Sequence, residues 1–172
     1  GGRAGSSDIY AQRLNAAGIR QWVVGSDSNG FAVSTAVSFQ NLPVVSSDDA
    51  GGSIIAWVDL RNGGTEIYSQ KIDSAGSVQW TANGVAVSGD IGAQHFPVIT
   101  TVPGGGAIIA WEDATSGANF AQRINSSGTA LWTTNGIAVL VPISGPPSYS
   151  NPAIVIDNNG YTILAADRSN ST

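Results

Sequence analysis

From Glu66 to Ile72 the chain alternates: Ile67, Ser69 and Lys71 share one side of an extended backbone, and Tyr68, Gln70 and Ile72 the other. A period of two is the signature of a β-strand with two different faces. The stretch before it, GGSIIAWVD (51–59), and its counterpart GGAIIAWED (105–113) follow glycine-rich turns and are apolar nearly throughout. Such runs predict strands buried on both faces. Shorter β-branched runs, PVVSS from Pro43 and PVIT from Pro97, precede them, and SVQW (77–80) follows the turn DSAG (73–76). The expected unit is therefore four short antiparallel strands, with SVQW as the fourth. Gly supplies positive φ at the turns, and Asp or Asn bonds the neighbouring backbone. No stretch carries the 3.6-residue period of a helix, so the chain is predicted to be all-β.

The unit recurs. DIYAQRLNAAGIRQW (8–22), EIYSQKIDSAGSVQW (66–80) and the stretch ending in NFAQRINSSGTALW (119–132) align Tyr10 with Tyr68 and Phe120. The same alignment matches Gln12 with Gln70 and Gln122, Gly18 with Gly76 and Gly128, and Trp22 with Trp80 and Trp132. Between these copies, Pro43, Pro97 and Pro152 correspond, and each stands 14 residues before Trp57, Trp111 or Ala166. A period near 54 residues marks a solenoid, a propeller or an array.

Four strands per unit, an aromatic at a fixed place and glycine-rich hairpins describe a propeller blade. The motif Asp73-x-x-Gly76-x-x-x-Trp80 resembles the tryptophan-docking motif of quinoprotein propellers, with a turn one residue shorter. It is also similar to the Asp-box of sialidase propellers, with Gly-to-Trp one residue longer; Asn15 and Asn125 stand at the Asp position of the other copies. Over residues 8–168 the repeat most resembles the Tyr-Ala-Gln-Arg-type repeats of secreted bacterial β-propeller proteins. That resemblance implies a wedge of Trp between blades, and so an inter-blade packing role for Trp22, Trp57, Trp80, Trp111 and Trp132.

The phase of the repeat is unusual. Residues 8–42 read as a half-blade and connector, 43–96 and 97–151 as blades, and 152–172 as a half-blade, giving about three blade equivalents within one repeat domain, 1–172. Closed propellers have four to eight blades. Unpaired edge strands recruit partners, so Ile9 and Tyr10 at one end and Ile154, Val155, Ile156 and Ala166 at the other are expected to be subunit contacts. Completion of blades between copies would give a head-to-tail ring or filament. Ala166, small where its siblings are Trp, is expected to receive Tyr10, Trp22 or the four extra residues between Trp22 and Phe31 of a partner. A chain without Met is also expected to be a processed form or a piece of a longer one.

Composition narrows the function classes. Charged residues are 11% of the 172, with a net charge of −5, against about 25% in an average domain. Ser, Thr, Asn and Gly carry the polar surface, a balance associated with extracellular or cell-surface proteins. The sign of the charge argues against nucleic acid, which needs clustered Lys and Arg, and no apolar run approaches the roughly 18 residues of a membrane helix. There is no Cys, so thiol catalysis, disulfides and cysteine metal sites are excluded.

The remaining candidates read as architecture. His95, the single histidine, lacks a nucleophile-elbow partner and reads as an edge residue. Glu112 and Asp113 are adjacent on a strand and point to opposite faces; with Asp59 they read as strand-end hydrogen-bonding groups. Asp27, Asp48, Asp49 and Asp157 lie in fragments of calcium loops without a closing Glu, which turn chemistry explains. Asn125 and Asn170 fit the glycosylation pattern, and Asn125 holds a turn. No enzyme activity, catalytic residue, metal or cofactor is expected. The first expectation is an extracellular structural protein that assembles with itself. The alternatives are a lectin-like module, with tryptophans stacking on sugar, and an excerpt of a longer surface propeller protein.

Overall fold

A computed structural model describes residues 6–22, 30–89, 92–142 and 148–169. Those residues form an all-β fold without helix: four antiparallel sheets, of two, four, four and two strands. The first pairs β1 (Ile9–Ala11) with β2 (Phe31–Ser34). The second is a meander of β3 (Gln40–Ser47), β4 (Ser53–Asp59), β5 (Glu66–Ile72) and β6 (Val85–Ala86). The third repeats it with β7 (Gln94–Val102), β8 (Gly106–Asp113), β9 (Ala118–Ile124) and β10 (Ile137–Leu140). The last pairs β11 (Tyr149–Ile156) with β12 (Thr162–Arg168).

The central strands are buried on both faces, as their apolar runs require. Alternate residues of β4 serve two different cores. Ile55 and Trp57 pack with Ile9, Trp22 and Val33 of the first sheet, whereas Ile54, Ala56 and Val58 pack with Ala107, Ile109 and Trp111 of the third. Ile108 and Ala110 face the other way, toward Ile154, Ile156 and Leu164 of the last. The sheets are thus stacked face to face, each core shared by two neighbours.

Two sequence expectations need correcting. SVQW is not the fourth strand. Val78 makes one isolated bridge to Ile72, and the amide of Trp80 then turns to the side-chain carbonyl of Gln70 at 2.9 Å instead of a backbone partner. The chain rounds a second turn and returns as β6, with Val85 opposite Ser69 and Ala86 opposite Tyr68. TALW (129–132) behaves alike, and β10 is the fourth strand there. In the first copy β2, not the residues up to Trp22, pairs with β1.

The expected boundaries at Pro43, Pro97 and Pro152 fall inside β3, β7 and β11. Each Pro sits in a register shift, between Asn41 and Val44, His95 and Val98, and Ser150 and Ala153. A bulge tolerates the missing N–H that regular pairing would not. The preceding residues, Leu42, Phe96 and Asn151, all have φ near +50°, and the three bulges line one shallow groove of about 300 Å³.

Candidate assembly interface

The joints between successive sheets are built from one kit. The Asx turn comes first. Asp73 Oδ1 accepts hydrogen bonds from the amides of Ala75 and Ser77, both at 2.9 Å. Asn125 does the same for Ser127 and Thr129, and Asn15 for Ala17 and Ile19. Gly76 and Gly128 close their turns at φ +87° and +85°. Each then lies flat against an indole: a Cβ at Gly76 would stand 2.9 Å from the ring of Trp22, and at Gly128 2.9 Å from that of Trp80.

Polar contacts lock the stack. Trp22 Nε1–H donates to the Ser74 carbonyl at 3.1 Å, and Trp80 Nε1–H to the Ser126 carbonyl at 2.9 Å. Both carbonyls belong to the second residue of the turn in the following unit. A cation adds to each joint: Arg13 donates to the Ser74 carbonyl, and Lys71 to the Gly105 carbonyl while it pairs with Asp48 at 3.5 Å. A third strut runs from Asn83 Oδ1 to the Thr35 amide, repeated from Asn135 to Gly89.

The repeated Gln has its role in the same kit. Gln70 Oε1 accepts from the amides of Lys71 and Trp80, and its Nε2 donates to the Thr81 carbonyl. Gln122 makes the equivalent bonds around Trp132; Gln12 Oε1 likewise accepts from the amides of Arg13 and Trp22, and its Nε2 donates to the Trp22 carbonyl. A side chain thereby replaces a rung of the ladder and aims each Trp at its neighbour. Sequence reading aligned these glutamines without giving them a task; their invariant ten-residue spacing to Trp carried the information.

The kit is used twice in full and left half-used twice. A Cβ at Gly18 would meet nothing within 4 Å, so no indole covers the Asn15–Gly18 turn. Trp132 is half-buried at the fringe of the core between the third and last sheets, and its indole N–H donates to no described residue. The strand edges follow suit. In β12 Ile163 is 54% exposed, although Ile54 and Ile108 at the matching positions are 0% and 5% exposed. Tyr10 on β1 is 53% exposed, against 8% for Tyr68. Two apolar grooves mark these ends. One of about 570 Å³ runs along Tyr10–Arg13, Trp22 and Pro43–Val45; another of about 440 Å³ lies between Trp132, Ile137, Val139 and Ile154, Ile163, Leu164.

The sites expected from sequence are distributed as follows. Trp22, Trp57, Trp80 and Trp111 are buried between sheets. Trp57 Nε1–H donates to Asp59 at 2.8 Å, Arg61 clamps Asp59 at 2.6 and 2.9 Å, and the Arg61 guanidinium lies 3.9 Å over the Tyr68 ring. Ile9 is buried in the first core, Ile154 and Ile156 are half-buried in the last, Val155 is exposed, and Ala166 lies half-exposed on the β12 edge. Trp22 is committed to its own chain's Ser74 turn, so it does not fill the space beside Ala166. Residues 23–29, which include Asp27 and fill most of the longer stretch between Trp22 and Phe31, lie outside the described residues, as does Asn170.

His95 sits opposite Glu112 in the β7–β8 register. Glu112 Oε2 and Asn119 Oδ1, on register partners, are both buried without a hydrogen bond. Asp113 caps its own turn through Ser116, and Asp48 and Asp157 cap theirs. Among the described residues no three His, Cys, Asp or Glu side chains converge on a metal position. No helix among them is long and apolar enough to cross a membrane. No protein-family model matches the chain, and no curated protein matches it.

Proposed function

We propose that this chain is an extracellular structural protein whose sheets are propeller-type blades, and that copies of it assemble head to tail by completing those blades between subunits. One observation carries the reading: the Trp-on-glycine joint, formed at Trp22–Gly76 and Trp80–Gly128, leaves a bare turn at Gly18 and an uncapped indole at Trp132. The two-stranded sheets supply the halves of one four-stranded meander, β11–β12 as its first two strands and β1–β2 as its last two. Exposed apolar edges with few guarding charges favour association, and main-chain pairing supplies affinity as in strand addition between subunits. A surface of Ser, Thr, Asn and Gly with one Lys in 172 residues supports the extracellular setting. The same features support a binding and building role over an enzymatic one.

Light scattering and negative-stain microscopy of the purified chain test the proposal. The full chain is expected to form rings or filaments, and a variant lacking residues 1–22 is expected to remain as short soluble species. A full chain that stays monomeric at millimolar concentration would overturn the reading and assign both half-sheets to further repeats of the same polypeptide.

A further inference from the structure

The internal joints also specify what the intermolecular one must look like. In the second sheet Trp57 stands opposite Tyr68, and Asp59 opposite Glu66; in the third Trp111 stands opposite Phe120, and Asp113 opposite Ala118. Ala166 occupies the Trp position and Tyr10 the aromatic position of the same repeat. We infer that β12 of one copy pairs antiparallel with β1 of the next in one fixed register, Ala166 opposite Tyr10 and Arg168 opposite Asp8, with the indole of Trp132 seated on Gly18 and its N–H bonded to the Ala16 carbonyl. The inference rests on the assembly reading and deepens it by naming the partner surface, a second copy in the same orientation, residue by residue.

Three features favour this register over its neighbours. Side chains alternate along a strand and β11 already fixes the faces of β12, so a slip by one residue would turn Ile9 and Tyr10 of the incoming β1 to the wrong faces. A slip by two would put Leu164 opposite Tyr10 and remove the turn from under Trp132. The charges agree as well. The strand-end pair that is Asp59–Glu66 inside the chain becomes Arg168–Asp8 at the joint, and opposite charges facing across strands stabilise a register that like charges would disfavour. Neither residue has an ion-pair partner among the described residues. Ala166 also differs from Trp57 and Trp111 in volume. The internal aromatic pairs, stacked at centroid distances of 6.4 and 6.3 Å, are replaced at the joint by an alanine facing a tyrosine. The joint between copies therefore buries less than the joints within one.

The chain has no Cys, so disulfide trapping reads the register directly. Tyr10→Cys and Ala166→Cys chains, one carrying a size tag, are mixed and oxidised, and the mixed disulfide is followed by non-reducing electrophoresis. A Tyr10→Cys with Leu164→Cys mixture is the out-of-register control. Ala166 belongs to no hydrophobic core among the described residues, and Leu164 fringes only the core between the third and last sheets; light scattering on each variant reports assembly independently. The in-register pair is expected to cross-link at least tenfold faster than the control. Equal or faster trapping of the control, or assembly with neither pair trapped, overturns the register and leaves the assembly reading standing. Absence of both assembly and cross-linking overturns the two together.

Discussion

A single indole joins the first sheet to the second and the second to the third, and its partner is a glycine because nothing larger fits. Trp80 is 8% exposed, stacked on Gly128 and hydrogen-bonded to Ser126. Removing a buried Trp costs about 3–5 kcal/mol, a large share of the stability of a small domain; Trp80→Ala is expected to lower the unfolding free energy by that amount, read from urea unfolding. Gly128→Ala separates two effects. Its φ of +85° carries a strain of roughly 1–2 kcal/mol for any residue with a Cβ. Gly18→Ala bears the same strain at φ +75°, yet its Cβ meets nothing. In dilute protein Gly128→Ala should therefore destabilise clearly more than Gly18→Ala, and equal melting shifts would show that the indole does not press on the turn.

At the scale of elements, β12 has the composition of a central strand and the exposure of an edge. Ile163 is solvent-exposed where Ile54 and Ile108 are buried, and burying an Ile side chain contributes about 1.5–3 kcal/mol. Ile163→Lys is expected to leave the Tm of the single chain within a few degrees while raising the concentration needed for assembly more than tenfold, read by sedimentation across a dilution series. The strands that sequence made legible were those whose burial is decided locally: β4 and β8 from their unbroken apolar runs, β5 from its alternation. The fourth strands were misplaced because Gln70 and Gln122 supply a rung from a side chain, which no hydrophobic period records. The prolines looked like strand starts because the bulge that accommodates Pro43, Pro97 and Pro152 depends on backbone pairing across the sheet. The joint itself was half legible. The Gly-to-Trp spacing announced a docking motif, but whether an indole meets its own turn or the next one is a matter of tertiary placement.

At the scale of the whole molecule, each hydrophobic core among the described residues lies between two adjacent sheets, and none of them spans three. Stability in such a stack is close to a sum of unit and nearest-neighbour terms. The two outer sheets have a neighbour on one face only and should open first. Hydrogen exchange is expected to show slowest amides in β4, β5, β8 and β9 and fastest ones in β1, β2, β11 and β12; uniform protection across all four sheets would contradict a nearest-neighbour stack.

If copies assemble as proposed, that arrangement makes the amount of protein a thermodynamic variable of the fold. A stack whose last sheet is covered by another copy gains a neighbour term without any change in its own sequence, and binding to the folded form alone raises apparent stability by mass action. The Tm should climb with concentration, by an increment that vanishes in the 1–22 deletion, and dilution should loosen the outer sheets before it touches the middle ones. On the proposed assembly, the chain would be least robust while scarce and would harden as it accumulates.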